Sequence, residues 1–288
     1  MAIIEAKNLT FTYGIGTPFE KKALDNVSFC IEEGEFLGVI GHTGSGKSTL
    51  IQMLNGLIRP TSGQVLLHGR DIWEKPKEIR NVRFQVGMVF QYPEYQLFEE
   101  TVIKDIMFGP KNMGLSDEEA RKKALAAAEV TQLKKELLDK SPFELSGGEK
   151  RRAAIAGVLA MDPDVLILDE PTAGLDPRGR DVLLEQIRSY HESRKNTIML
   201  VSHSMEDIGR VAQRVMVMNG SEMEMLCTVK EVFSQGDVLE RMGLRIPQIT
   251  QIMRSLNSAG LSVDPGTYTV EYALRQLLPL LQGKENAH

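Results

Sequence analysis

Long apolar runs are missing from this 288-residue chain. Runs such as residues 165–168 and 197–201 fall far short of the roughly 20 residues that cross a bilayer as a helix. Cysteine is scarce. Cys30 and Cys227 sit in no CxxC spacing, which excludes a disulfide framework and a cysteine-rich zinc site. A basic excess is missing too: 34 Lys and Arg against 39 Asp and Glu give a net charge of −5. Nucleic-acid binders draw affinity from neutralising phosphates, so that balance disfavours them as a class. The first residues lack a basic region followed by a long apolar stretch, so no secretory signal is expected. Core material is plentiful. Hydrophobic residues make up 42% of a length that suits one large domain or two modest ones. The expectation is a soluble, acidic, intracellular protein.

The first ninety residues mix short β-rich runs with turns. Residues 3–6, 9–13 and 27–31 read as strands. Residues 36–40, Phe-Leu-Gly-Val-Ile, form a continuous apolar run, the pattern of a strand buried on both faces. Residues 165–168 and 197–201 repeat that pattern. Helical stretches fall between them, including residues 120–130 behind a capping box at Ser116 and Glu119, and residues 178–193. Strands alternating with helices indicate an α/β fold with a mostly parallel sheet and helices on both faces. Beyond about Gly236 the texture changes. Ile246, Ile249, Ile252, Met253 and Leu256 recur at helical spacing between Pro247 and Gly260, and Ala273, Leu274, Leu277, Leu278 and Leu281 recur likewise. This tail reads either as a lid on its own domain or as a contact for another subunit.

Gly41-His42-Thr43-Gly44-Ser45-Gly46-Lys47-Ser48-Thr49 matches the pattern G-x-x-x-x-G-K-[ST] in full. It follows a buried strand and leads into residues able to form a helix. The glycines let several backbone N–H groups turn toward one anion, and a helix start adds partial positive charge. Lys47 is expected on the β- and γ-phosphates and the Ser48 hydroxyl on Mg²⁺. The second apolar strand ends in Asp169-Glu170. Adjacent carboxylates there are costly unless cations meet them, and a Mg²⁺–nucleotide would do so. Asp169 is expected to hold the ion and Glu170 to activate the attacking water.

Residues 145–149, Leu-Ser-Gly-Gly-Glu, precede a helical run with the basic cluster Lys150-Arg151-Arg152. Ser146 suits an N-cap, and Gly147 and Gly148 expose N–H groups for a second anion. Here the chain resembles the ATP-binding-cassette (ABC) family over residues 1–235. Leu-Ser-Gly-Gly is that family's signature, and Glu149 stands where glutamine is commonest. The resemblance implies a P-loop NTPase of ABC type with a RecA-like core, an N-terminal antiparallel β subdomain, a helical subdomain near residues 92–160 and a C-terminal helical extension. The expected units are 1–236 for the ATPase and 237–288 for the extension.

The remaining roles come from that resemblance. Tyr13 matches the aromatic that stacks on adenine. Gln91 matches a glutamine that ligates Mg²⁺ and senses the γ-phosphate. Asp176 matches a loop that communicates between subunits. His203 matches a histidine that hydrogen-bonds the γ-phosphate. The resemblance also implies that ATP is bound between the phosphate loop of one subunit and the Ser146, Gly147, Gly148 and Glu149 motif of another. The resemblance implies the ATPase of a transporter, and with no membrane segment of its own the chain is expected to dock on separate membrane proteins. The alternative is a soluble ABC ATPase of translation or DNA repair. Such proteins usually carry two cassettes or nucleic-acid-binding features, and neither is found here. Exporter ATPases are often fused to a membrane domain that is also absent from this chain.

Residues 91–98, Gln-Tyr-Pro-Glu-Tyr-Gln-Leu-Phe, are similar to those of energy-coupling factor (ECF) ATPases, as are residues 171–177 and 242–249. That likeness implies uptake of vitamins or trace metals. It implies a second ATPase subunit, expected as a heterodimer partner, together with a membrane coupling protein (T component) and a substrate-binding membrane protein (S component). No nucleic-acid partner is expected. The expected location is peripheral, on the cytoplasmic face of the cell membrane.

Overall fold

The computed structural model describes residues 1–285. Strands β1 (Ala2–Tyr13) and β2 (Lys21–Glu32) pair antiparallel. Strand β3 (Phe36–Gly41) runs into helix α1 (Lys47–Leu54), and β4 (Ser62–Leu67) and β5 (Arg70–Asp71) follow. Next come α2 (Ile79–Gln85), β6 (Val86–Val89), α3 (Val102–Asn112), α4 (Asp117–Val130) and α5 (Gly147–Leu159). Then follow β7 (Val165–Asp169), α6 (Pro177–Arg194), β8 (Thr197–Val201), α7 (Met205–Val211), β9 (Arg214–Asn219) and β10 (Glu222–Thr228). Helices α8 (Val229–Ser234), α9 (Gly236–Arg241), α10 (Gln248–Ser258) and α11 (Val270–Glu285) complete the described chain.

Two sheets form. One is antiparallel with order β2-β1-β4-β5. The other has order β10-β9-β3-β8-β7-β6 and is parallel except for β10. Side chains alternate across a strand, so a continuous apolar run feeds two cores at once. Phe36, Ile40, Leu166, Leu168, Ile198 and Leu200 join the helical core, whereas Leu37, Val39, Val165, Ile167, Met199 and Val201 join the core under the antiparallel sheet. That second face is covered by α1 and the antiparallel sheet rather than by a full layer of helices. Helices thus lie on both faces as expected, and the antiparallel sheet shares the second.

Residues 3–6 and 9–13 are one strand, not two. The break expected near residue 8 is a register irregularity, where Asn8 takes a left-handed φ of 50° while β1 continues. The Ser116–Glu119 capping box forms as its spacing requires. In the tail, Ile246 precedes α10, because Pro247 occupies the N-cap. Ile246 is buried in the main helical core instead, and Met253, Val263 and Ala273 make a small separate cluster. The apolar stripe of α11 is not wholly covered. Ala273 is buried, but Leu274, Leu278 and Leu281 are exposed, Leu281 at 64%. Residues 286–288 of the expected extension lie outside the described residues. No described helix is long and apolar enough to cross a membrane.

One buried ion pair ties the helical layer together. Arg151 on α5 is 5% exposed and grips Glu94 with two parallel bonds, Nε to Oε2 at 3.1 Å and Nη2 to Oε1 at 2.8 Å. Its Nη1 donates to the carbonyls of Pro171 at 3.1 Å and Ala173 at 2.7 Å. Removing one partner of such a pair strands a buried charge, which costs about 3–5 kcal/mol. Glu94→Ala should therefore lower the thermal midpoint by roughly 5–10 °C. Glu100→Ala, which removes an exposed ion pair with Lys104, should leave the midpoint unchanged in the same scanning-calorimetry series.

Candidate nucleotide site

The phosphate loop begins where β3 leaves the sheet. Gly46 is the N-cap of α1, with φ 102° and no side-chain cap, so the first N–H groups of the helix stay free. A Cβ at Gly46 would fall on the Ala23 carbonyl oxygen of β2, and the backbone conformation itself disfavours side chains. Lys47 is buried, and its Nζ donates to the carbonyls of Gly41 at 2.6 Å and His42 at 3.0 Å. Burial pushes its pKa down, while Glu170 and Asp169 pull it back up. The ammonium thus sits folded onto its own loop, ready to exchange carbonyl oxygens for phosphate oxygens.

A cavity of ≈ 420 Å³ opens over this loop. Its walls include Tyr13, Thr43, Gly44, Gly46, Lys47, Ser48 and Thr49, and across from them Gln91, Asp169, Glu170 and His203. The tips of β3, β6, β7 and β8 supply most of these groups, because parallel strands bring their carboxyl ends to one edge. Gly41, His42 and Ser45 support the loop rather than line the cavity. The His42 ring contacts the Thr43 carbonyl at 2.9 Å and Asn219 Oδ1 at 3.1 Å. Asn219 Nδ2 in turn donates to Glu224 at 3.0 Å, so the β9–β10 hairpin braces the loop. Tyr13 stands edge-on to Phe11, with its hydroxyl 3.2 Å from Thr49 Oγ1 and its ring partly exposed at the cavity mouth.

The two acids differ in setting. Burial pushes Asp169 up, opposed by Lys47. Burial pushes Glu170 further, to about 7. Glu170 takes a left-handed φ of 49°, rare for a residue with a side chain and costly enough to mark a functional turn. Its Oε2 accepts the backbone N–H of His203 at 3.3 Å. Its Oε1 lies 3.3 Å from His203 Nε2, yet no aligned hydrogen bond reaches it. Burial, and then Lys47, push His203 down, which favours the neutral ring. Ser48, Gln91 and Asp169 offer a hydroxyl, an amide and a carboxylate to one cavity. That oxygen-rich set suits Mg²⁺, and an unpaired buried carboxylate oxygen nearby fits a site built for a further polar ligand.

The structure does not bring the signature residues to this cavity. Ser146 caps α5, and Gly148 lines a different cavity with Asp176. Asp176 caps α6 by accepting the Gly179 N–H at 3.0 Å. Several supporting residues left no trace in the sequence. Lys21 and Ala23 join the cavity wall from β2. Thr172 donates to Asp207, which also takes Arg180, beside the turn that carries Glu170. Only the buried strand before Asp169 hinted that this turn would need such bracing.

A phosphate loop on a parallel sheet, facing paired acids and a strand-end histidine, defines an ATP-hydrolysing cassette. The ABC transporter family model matches residues 24–173. The chain is 52% identical to the energy-coupling factor transporter ATP-binding protein EcfA2 of Caldanaerobacter subterraneus subsp. tengcongensis, covering 98% of this chain and 99% of that protein. It is 54% identical to the EcfA2 of Clostridium acetobutylicum, covering 97% and 98%. Among solved structures it is similar to cbiO1 of Clostridium perfringens, described as part of the ABC transporter complex cbiONQ. That match has a TM-score of 0.74 and 37% identity over 88% of this chain and 98% of that one. It is also similar to the ATP-binding cassette MJ0796, solved as a dimer with ADP and Pi, at TM-score 0.71 and 29% identity over 78% and 98%. The chain belongs to the ABC transporter ATPases. Within them it is an ATP-binding subunit of the energy-coupling factor type, an enzyme that hydrolyses ATP in support of transport.

Gly46→Ala places a methyl group against the β2 backbone at the bend of the loop. ATP affinity should fall by at least about tenfold, since left-handed strain alone costs of order 1–3 kcal/mol. The fold should survive, because Gly46 contributes no side chain to the core. Titration with a fluorescent ATP analogue, alongside far-UV circular dichroism, checks both.

Proposed function

We propose that this chain is one of two ATPase subunits that power uptake of a vitamin or trace metal through separate membrane proteins, working at the cytoplasmic face as a peripheral subunit. The observation that carries the reading is the single cavity holding Lys47, Ser48, Gln91, Asp169, Glu170 and His203. Residues 1–236 act as the ATPase and 237–288 as the extension.

In this reading the N–H groups of residues 43–49 and the Lys47 ammonium take the phosphates, and Tyr13 covers the adenine. Ser48, Gln91 and Asp169 hold Mg²⁺, which when bound neutralises charge on the β- and γ-phosphate oxygens. Glu170 accepts the proton of the attacking water, and a pKa near 7 matches that task. Neutral His203 orients the γ-phosphate. Ser146, Gly147, Gly148 and Glu149 do not line the cavity over their own phosphate loop, which supports a composite site where they face the ATP of a second subunit. Asp176 lies beside that face. ATP then holds two subunits together, and hydrolysis releases them.

The exposed aromatics Phe98 and Phe108 line a cavity of ≈ 510 Å³ beside the Gln91 segment and α5. This groove suits helices of the membrane coupling protein, whose own partner is the substrate-binding membrane protein. The uncovered α11 stripe suits a second, different ATPase. Replacing Leu274 and Leu278 together by Glu should cut recovery of that second ATPase in pull-downs at least about tenfold, because a charge buried in an apolar contact is costly. Unchanged recovery would assign the stripe to no partner.

Glu170→Gln tests the catalytic reading. ATP binding should persist, while steady-state hydrolysis in the assembled complex falls by about a hundredfold or more. Unchanged turnover would remove Glu170 from its role as base, and copurified membrane subunits identified by mass spectrometry would settle the transport partners.

A further inference from the structure

Ser146 and Glu149 form a closed pair at the start of α5. The Ser146 N–H donates to Glu149 Oε2 at 2.9 Å, and the Ser146 hydroxyl donates to the same oxygen at 2.7 Å. The Glu149 N–H returns to Ser146 Oγ at 3.4 Å. A serine hydroxyl has one proton, and this one is already given away. What Ser146 offers outward is lone-pair density, which repels an anion. The same arrangement caps α4 through Ser116 and Glu119 and α8 through Thr228 and Glu231, neither of which lines the nucleotide cavity. The cap is thus an ordinary stabilising device. At α5 it falls on the residue that the proposed function assigns to a γ-phosphate.

The carboxylate is firmly ionised. Hydrogen bonds from Ser146 hold it below the usual glutamate range, with smaller help from the charges of Arg152 and Lys134. An arriving phosphate must draw the Ser146 hydroxyl's hydrogen bond away from it and sit beside its negative charge.

We propose that Glu149 is a positioning residue that competes with the γ-phosphate for the Ser146 hydroxyl, and so lowers ATP affinity at the composite site completed by this helix on the partner's phosphate loop. The proposal rests on the composite-site reading given above. It explains what this signature gains from a charged residue: an ATP contact that lets go readily. A Gln at the same position can keep the capping box, since either residue type serves there. Only the charge is lost.

The experiment uses the full complex with Lys47→Ala in this chain, which removes its own nucleotide site and leaves the one that α5 completes. Glu149→Gln should tighten equilibrium ATP binding there by about two- to tenfold, the range expected for one charge near a helix start. The gain should shrink at high salt, because a charge effect is screened. Glu231→Gln, which makes the same change at the α8 cap, should have no effect. Unchanged or weaker binding for Glu149→Gln would overturn the proposal, as would an equal gain for Glu231→Gln. In the reciprocal complex, with the partner's phosphate loop disabled, Glu149→Gln should change nothing. A gain confined to that complex would mean that α5 acts on its own phosphate loop, and the composite-site reading itself would fall.

Discussion

Two carboxylates end a strand that is buried on both faces, with one ammonium close enough to answer them. Much of the site follows from that imbalance. Asp169 and Glu170 leave β7 between β6 and β8, with the phosphate loop from β3 close by, in surroundings poor in water. Their charged forms are penalised by burial, and Lys47 offsets only part of the cost. Lys47 is itself desolvated and rests on two carbonyl oxygens of its own loop. The pocket therefore holds acids that are poorly balanced and an ammonium that is underused. A nucleotide with a divalent cation corrects both at once, which gives this arrangement a reason to bind such a ligand tightly.

The same burial explains what the sequence reveals. Continuous apolar strands are legible because both faces are covered, and motifs at their ends are legible because few chemistries tolerate glycines, a lysine and paired acids there. Elsewhere the pattern misleads. The apparent break in β1 is a local irregularity at Asn8, which costs the strand little. The periodicity of α11 gives a correct helix but hides that half of its stripe is bare. Periodicity reports which side is apolar, not what covers it.

Arg151 shows a different limit. In the sequence it is the middle of three basic residues and looks solvated. In the fold the helical phase of α5 turns it inward while Lys150 rests over Phe143. No local signal distinguishes the three, because the partners, Glu94 and the Pro171 and Ala173 carbonyls, are remote in sequence. The Ser146–Glu149 cap is the opposite case. Its spacing is plain in the sequence, but its effect on the hydroxyl emerges only from the direction of the hydrogen bonds.

Arg151 also limits how the proposed machine can move. It holds the segment after Gln91, the signature helix and the turn after Glu170 as one piece. A guanidinium bound four ways cannot follow one of these elements and leave the others without stranding a buried charge. Motion of the groove beside Phe98 and Phe108 would therefore be passed to Ser146 and to the turn that carries Glu170 as a rigid displacement rather than lost in side-chain rearrangement. In the proposed cycle, a membrane protein seated in that groove would shift the signature helix relative to the partner's nucleotide. The readily released contact proposed at Ser146 would then be the place where the shift acts first.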